Sequence, residues 1–115
     1  MTLDQFYRAV GGTAAASAPR LGGADATRRF LRLFPLDDSF PMLSEALGRG
    51  DVQTAFRAAH TLKGVAANLG LEQLRALASD MTECLRRGEL SGAQARLAET
   101  ETAYRRVLAA LEELE

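Results

Sequence analysis

The stretch AHTLKGVAANLG, residues 59–70, contains the one histidine of the chain, His60, and its one lysine, Lys63. On a helix, Arg57, His60, Lys63, Gly64 and Ala67 stand three or four positions apart and share one face. The chemistry this grouping supports is nucleophilic. A free imidazole titrates near 6.5, so at neutral pH it is mostly unprotonated and can attack a phosphoryl group. Phosphoryl transfer asks chiefly for positioning and charge neutralisation. The Lys63 ammonium, one turn on, can offset the charge that the ring would acquire. All thirteen other basic residues are arginine, and a compact ammonium behaves differently from a planar guanidinium.

Gly64 needs its own reason, because glycine costs about 1 kcal/mol relative to alanine inside a helix. It can allow a second helix to pack closely, or it can leave room for a partner's backbone beside His60. Its place on the histidine strip, rather than on the apolar stripe, favours access. Arg57 reads as a solvated residue or as a contact to partner or phosphate, and Asn68 lies on the shoulder of the strip. No carboxylate cluster accompanies the strip, so it offers no metal site, and any Mg²⁺ would have to come with a partner.

The elements that must position this strip are helical. Isoleucine is absent, valines are few, and alanine, leucine, arginine and glutamate dominate. The spacing predicts a short helix over 3–10 with Leu3, Phe6, Tyr7 and Val10 inward. A short helical piece is expected within 13–23. A second clear helix over 24–34 should bury Phe30, Leu33 and Phe34. Asp38 or Ser39 can cap a third helix that buries Phe40, Leu43, Ala46 and Leu47. Asp51 caps the long helix carrying His60, with Val52, Ala55, Phe56, Ala59, Leu62, Ala66 and Leu69 as its inward stripe and Gly70 as its stop. A helix over 71–87 follows, burying Leu74, Leu77, Ala78, Met81 and Leu85. Ser91 is expected to cap one last long helix to about 114, with Ala95, Leu97, Ala98, Tyr104, Leu108 and Leu111 apolar. Short turns make antiparallel neighbours. The expectation is an all-α fold, an antiparallel up-and-down four-helix bundle over 38–115 with residues 1–37 as a helical cap, together one domain.

Composition narrows the function. A net charge of −1 gives no bulk attraction to nucleic acid or anionic membrane. The arginine pairs Arg28-Arg29, Arg86-Arg87 and Arg105-Arg106 read as solvated helix faces. Cys84 is the one cysteine, so no internal disulfide can form, and it reads as a small buried hydrophobe. One histidine and one cysteine at unrelated positions do not make a zinc site. There is no secretory-type leader and no apolar run near the roughly 18–20 residues that span a bilayer, which points to the cytoplasm. No glycine-rich nucleotide loop is present, so ATP chemistry by those routes is not expected.

The stretch AFRAAHTLKGVAANLG, with the upstream LSEALGRGDVQTAFRAA, resembles histidine-containing phosphotransfer (HPt) domains of multi-step phosphorelays. The matching residues are Ala59, His60, Thr61, Leu62, Lys63, Gly64, Ala66, Ala67, Leu69 and Gly70, and the likeness extends over roughly 38–90. It implies a four-helix bundle whose exposed His60 accepts a phosphoryl group from a receiver-domain aspartyl phosphate and passes it to another receiver. Lys63 would stabilise charge and Gly64 would admit the partner; Arg57, Ala67 and Asn68, on or beside the same strip, are expected to join the docking surface. Implied partners are response-regulator receiver domains, a hybrid sensor histidine kinase, or both, with Mg²⁺ on the receiver and the chain itself a monomeric phosphocarrier without an ATP site. Two positions depart from the family pattern. Val65 stands where serine is frequent, and Thr82 stands where a glutamate or glutamine commonly faces the histidine, which places Thr82 in the expected docking surface. These departures leave an alternative, an HPt-like helical adaptor in which His60 is never phosphorylated.

Overall fold

A computed structural model describes residues 1–12 and 21–115. Its helices are α1 (Leu3–Ala9), α2 (Ala24–Leu33), a 3-10 turn (Phe34–Leu36), α3 (Ser39–Arg49), α4 (Val52–Leu69), α5 (Glu72–Arg86), α6 (Leu90–Ala95) and α7 (Leu97–Glu113). No strand occurs among the described residues. The helical piece expected within 13–23 falls largely on residues 13–20, outside the described residues.

The bundle is organised around α4, which packs against α3 on one side and α5 on the other, with α7 closing the bundle against α5. Two-residue turns force α3, α4 and α5 to run antiparallel. At the end of α4, Gly70 adopts a left-handed conformation (φ 72°), the Leu71 amide donates to the Ala66 carbonyl at 2.9 Å and the Gly70 amide to the Ala67 carbonyl at 3.2 Å. That closes two of the carbonyls a helix end leaves unpaired. Asp51 caps the other end as expected, its carboxylate accepting from the Thr54 amide at 3.1 Å and the Thr54 hydroxyl at 2.7 Å. These bonds to Thr54 hold the Asp51 carboxyl below its ordinary range.

The N-terminal helix supplies a further cap. The Tyr7 hydroxyl donates to the Leu69 carbonyl at 2.6 Å, in a buried contact. Gly12 approaches the same turn so closely that a Cβ there would lie 2.2 Å from the Gly70 carbonyl oxygen. The terminal amine of Met1 donates to the Glu113 carbonyl at 2.8 Å, so α1 ties the end of α4 to the end of α7. Leu3, Phe6, Tyr7 and Val10 are all buried, as their spacing predicts.

Several helices are rotated or divided relative to expectation. In α2 the inward residues are Thr27, Leu31 and Phe34, while Phe30 and Leu33 are exposed. Thr27 can enter the core because its hydroxyl donates to the Gly23 carbonyl at 2.7 Å, which removes the cost of burying it. Asp38 makes no side-chain cap on α3; the neighbouring Asp37 carboxylate accepts from the Ser39 amide instead. Within α4, Ala58 is buried and Phe56 is only half-buried.

The last helix is not continuous but breaks at Arg96, and Ser91 does not cap it, since α6 starts one residue earlier after Glu89. The break lets α6 tuck under the end of α3, where the Gln94 amide donates to the Leu47 carbonyl at 2.9 Å. In α7 the buried face is Thr100, Ala103, Tyr104, Val107 and Ala110. Ala95 and Ala98 are exposed, and Leu97, Leu108 and Leu111 half-buried.

Replacing Tyr7 with phenylalanine leaves the Leu69 carbonyl without its buried donor. The expected cost is about 1–2 kcal/mol, measurable as a lower urea midpoint with an unchanged m-value. Asp51→Asn keeps a capping acceptor but removes a titrating group. A carboxyl depressed in the folded state contributes stability at neutral pH that is lost as pH falls through its folded pKa. The loss of stability between pH 6 and pH 3 is therefore expected to be shallower in Asp51→Asn than in the parent.

Candidate functional site

The amphipathic pattern of α4 fixes what its two faces do. Ala55, Ala59, Leu62 and Ala66 are fully buried, so the opposite face is held outward along the helix. His60, Gly64 and Asn68 follow one another at four-residue intervals on that face and all three are exposed, as is Arg57 one turn before. Lys63 and Ala67 line its edge and are half-buried. The expected strip is therefore a continuous surface feature, with the imidazole near its middle.

Gly64 decides between its two readings on geometry. A Cβ built at this position would meet no described residue within 4 Å. No described neighbour needs the glycine, so its helix-weakening effect is not offset by packing among the described residues. What it leaves is bare backbone one turn beyond the imidazole.

The His60 ring makes no hydrogen bond to a described residue. It lies beside Phe56, one turn earlier, with ring centroids 6.1 Å apart and planes 29° from parallel. The Arg86 guanidinium, from α5, sits 5.1 Å from the Phe56 ring centroid, a cation–π distance. Arg86 also pairs with Glu83 at 3.4 Å. Phe56 thus flanks the histidine, and Arg86 packs on Phe56. Phe56 read as core and Arg86 as a solvated face from sequence. The position of Phe56 four residues before His60 was a usable signal, whereas Arg86 meets Phe56 only through the pairing of α4 with α5.

Thr82 is not part of this surface. It is fully buried, and its hydroxyl donates to the Ala78 carbonyl at 2.7 Å, one turn back on its own helix. With that hydroxyl committed, Thr82 neither faces a partner nor bonds the imidazole as placed. Val65, the other departure, is half-buried against the core and flanks the strip on the side of α2.

The family model for the Hpt domain matches residues 36–115. This chain belongs to the Hpt domain family. Hpt domains carry out histidine phosphotransfer in phosphorelays, acting with receiver domains as phosphocarriers rather than as ATP-using enzymes. The match covers α3 to α7 and begins at the end of the 3-10 turn, so α1 and α2 of this Hpt domain lie before it. Comparison with curated proteins and with solved structures gave no match. Among the described residues no helix is long and apolar enough to cross a membrane, and no group of three or more histidine, cysteine or acidic residues is placed to hold a metal ion.

Because a Cβ at Gly64 meets no described residue, Gly64→Ala is expected to stabilise the fold, by about 1 kcal/mol. A raised urea midpoint checks this. A lowered midpoint would mean that the glycine serves the fold after all.

Proposed function

We propose that His60 is the phosphoryl acceptor of this Hpt domain and that the chain relays the group between receiver domains in a two-component phosphorelay. The observation that carries the proposal is the exposed imidazole on a helix face bordered by Lys63 and by the bare backbone at Gly64. In the forward step a lone pair of one ring nitrogen attacks the phosphorus of a receiver aspartyl phosphate. The P–N bond forms, the P–O bond to the aspartate breaks, and its electron pair leaves with the carboxylate. The second receiver reverses these changes, its carboxylate attacking and the imidazole leaving.

Lys63 steadies the negative charge of the phosphoryl group, and Phe56 restricts the tilt of the imidazole. Gly64, Arg57, Ala67 and Asn68 form the contact surface beside it. The divalent cation belongs to the receiver, since the His60 strip has no carboxylates to hold one. The whole chain then acts as one monomeric unit in the cytoplasm, charged by a hybrid sensor kinase or by a free receiver. The adaptor reading has less support, because an adaptor has no need of an exposed imidazole with the chain's one lysine a turn away.

The experiment is transfer from a panel of phosphorylated receiver domains with Mg²⁺, comparing the parent with His60→Gln. Label that is acid-labile, base-stable and lost entirely in His60→Gln is the expected result, with helical content unchanged. Full labelling of His60→Gln would remove His60 as the acceptor, and partner binding without transfer to the parent would favour the adaptor. Gly64→Ala, despite its added stability, is expected to slow receiver-dependent labelling at least tenfold while leaving labelling by phosphoramidate within about twofold.

A further inference from the structure

The large hydrophobic side chains exposed among the described residues are Phe30, Leu33, Leu36 and Met42, at 47%, 56%, 80% and 45%. The first three stand together on α2 and the 3-10 turn. They form one wall of an open groove of about 480 Å³ whose other wall is Val65, Asn68 and Leu69 on α4. Asn68 lies on the His60–Gly64 strip itself. The groove is therefore continuous with the surface on which a partner must place its phosphoryl group.

Size argues that the strip is not enough on its own. A specific complex buries roughly 1,200–2,000 Å² in total, and its affinity is concentrated in a few large side chains. Gly64 and Ala67 give access but little contact area. Phe30, Leu33 and Leu36 are of the anchor type the strip lacks, and a contiguous exposed apolar group of this kind marks an interaction surface. Charge points to the same occupant. Arg29 and Arg32 are exposed on α2 beside Phe30 and Leu33. Neither they nor Lys63 forms an ion pair among the described residues, whereas Arg28, Arg49, Arg75, Arg86, Arg87 and Arg105 do. Arg8, Arg57, Arg96 and Arg106 are likewise without an ion pair among the described residues, and Asp37 lines the groove itself. The cations that bear on the occupant are therefore those beside the groove and strip, Arg29, Arg32 and Lys63, which favour a phosphoryl-bearing partner.

We infer that α2 and the 3-10 turn form a second docking element for the same receiver domain that presents its aspartyl phosphate to His60, and that this element determines which receivers are accepted. The inference rests on the proposed phosphotransfer at His60. It adds a surface that lies almost wholly before the segment matched by the family, and it assigns a chemistry to the occupant: an apolar patch bordered by carboxylates. Leu33 and Leu36 anchor the apolar part, and Arg29 and Arg32 attract the rim.

The test uses Leu33→Asp, Leu36→Asp and Arg32→Glu in the full chain. All three sites are exposed, so helical content and urea midpoint should stay near the parent's. Each protein is labelled in parallel with phosphoramidate and with a panel of phosphorylated receiver domains. Phosphoramidate labelling of His60 is expected to remain within twofold. Receiver-dependent kcat/KM should fall at least tenfold in each leucine variant, mostly through KM. Arg32→Glu should lower the association rate and weaken its salt dependence.

Unchanged receiver transfer in both leucine variants would overturn the second docking element while leaving His60 as the acceptor. A parent that no receiver and no phosphoramidate labels would overturn the phosphotransfer reading, and this inference with it. Sedimentation supplies one more decision. If the parent is a dimer that the leucine variants convert to monomer, the groove belongs to a second copy of the chain and the receiver assignment fails.

Discussion

Helix α4 must bury one face against two neighbours and keep the other bare, and nearly every feature of this Hpt domain follows from how that is done. The buried face is built mainly from alanine, with Leu62 as the large side chain among Ala55, Ala59 and Ala66. Small side chains let α3 and α5 lie close on either side, so α4 is held by broad, shallow contact. A helix seated in this way cannot roll without exposing the alanine face and driving His60 or Arg57 into the bundle. The orientation of the imidazole is thus set by residues on the opposite side of the helix.

Both ends of α4 are fixed for the same purpose. Asp51 and Thr54 hold its start, while Gly70, Tyr7 and the close approach of Gly12 hold its end. Gly64 weakens α4, and a Cβ there would meet no described residue. The caps at both helix ends offset part of that cost, and under the proposed function the weak point is where a partner approaches. The local environment of His60 follows the same logic. Phe56, itself under Arg86, lies beside the ring, and the Gly64 side is open among the described residues.

How much of this was legible in the sequence depends on which signals were local. Helix α1 and the limits of α4 could be read because apolar spacing, an aspartate cap and a terminal glycine all act within a few residues. The His60 strip was legible for the same reason, since residues three and four apart on a helix share a face whatever the tertiary structure. The rotation of α2 was not legible: Thr27 looks polar, and only its bond to the Gly23 carbonyl makes it a core residue while Phe30 and Leu33 turn outward. Thr82 misled in the same manner, its hydroxyl being satisfied by its own helix. The break at Arg96 carries no proline or glycine at that position. It arises because α6 must reach the end of α3, a demand that no local pattern records.

A carrier differs from an acceptor in one respect: what it takes up it must give away to a second protein rather than to water. The most direct measurement is therefore a chase. The protein is loaded on His60 by phosphoramidate, freed of the donor, and mixed with an unphosphorylated receiver domain and Mg²⁺, while label on each chain and inorganic phosphate are followed together. Label should leave His60 and appear on the receiver at a rate far above spontaneous hydrolysis, with the helical content of the bundle unchanged. Label that stays on His60 in the presence of every receiver tried, or that appears only as inorganic phosphate, would contradict the account of α4 as a helix built to present a phosphoryl group.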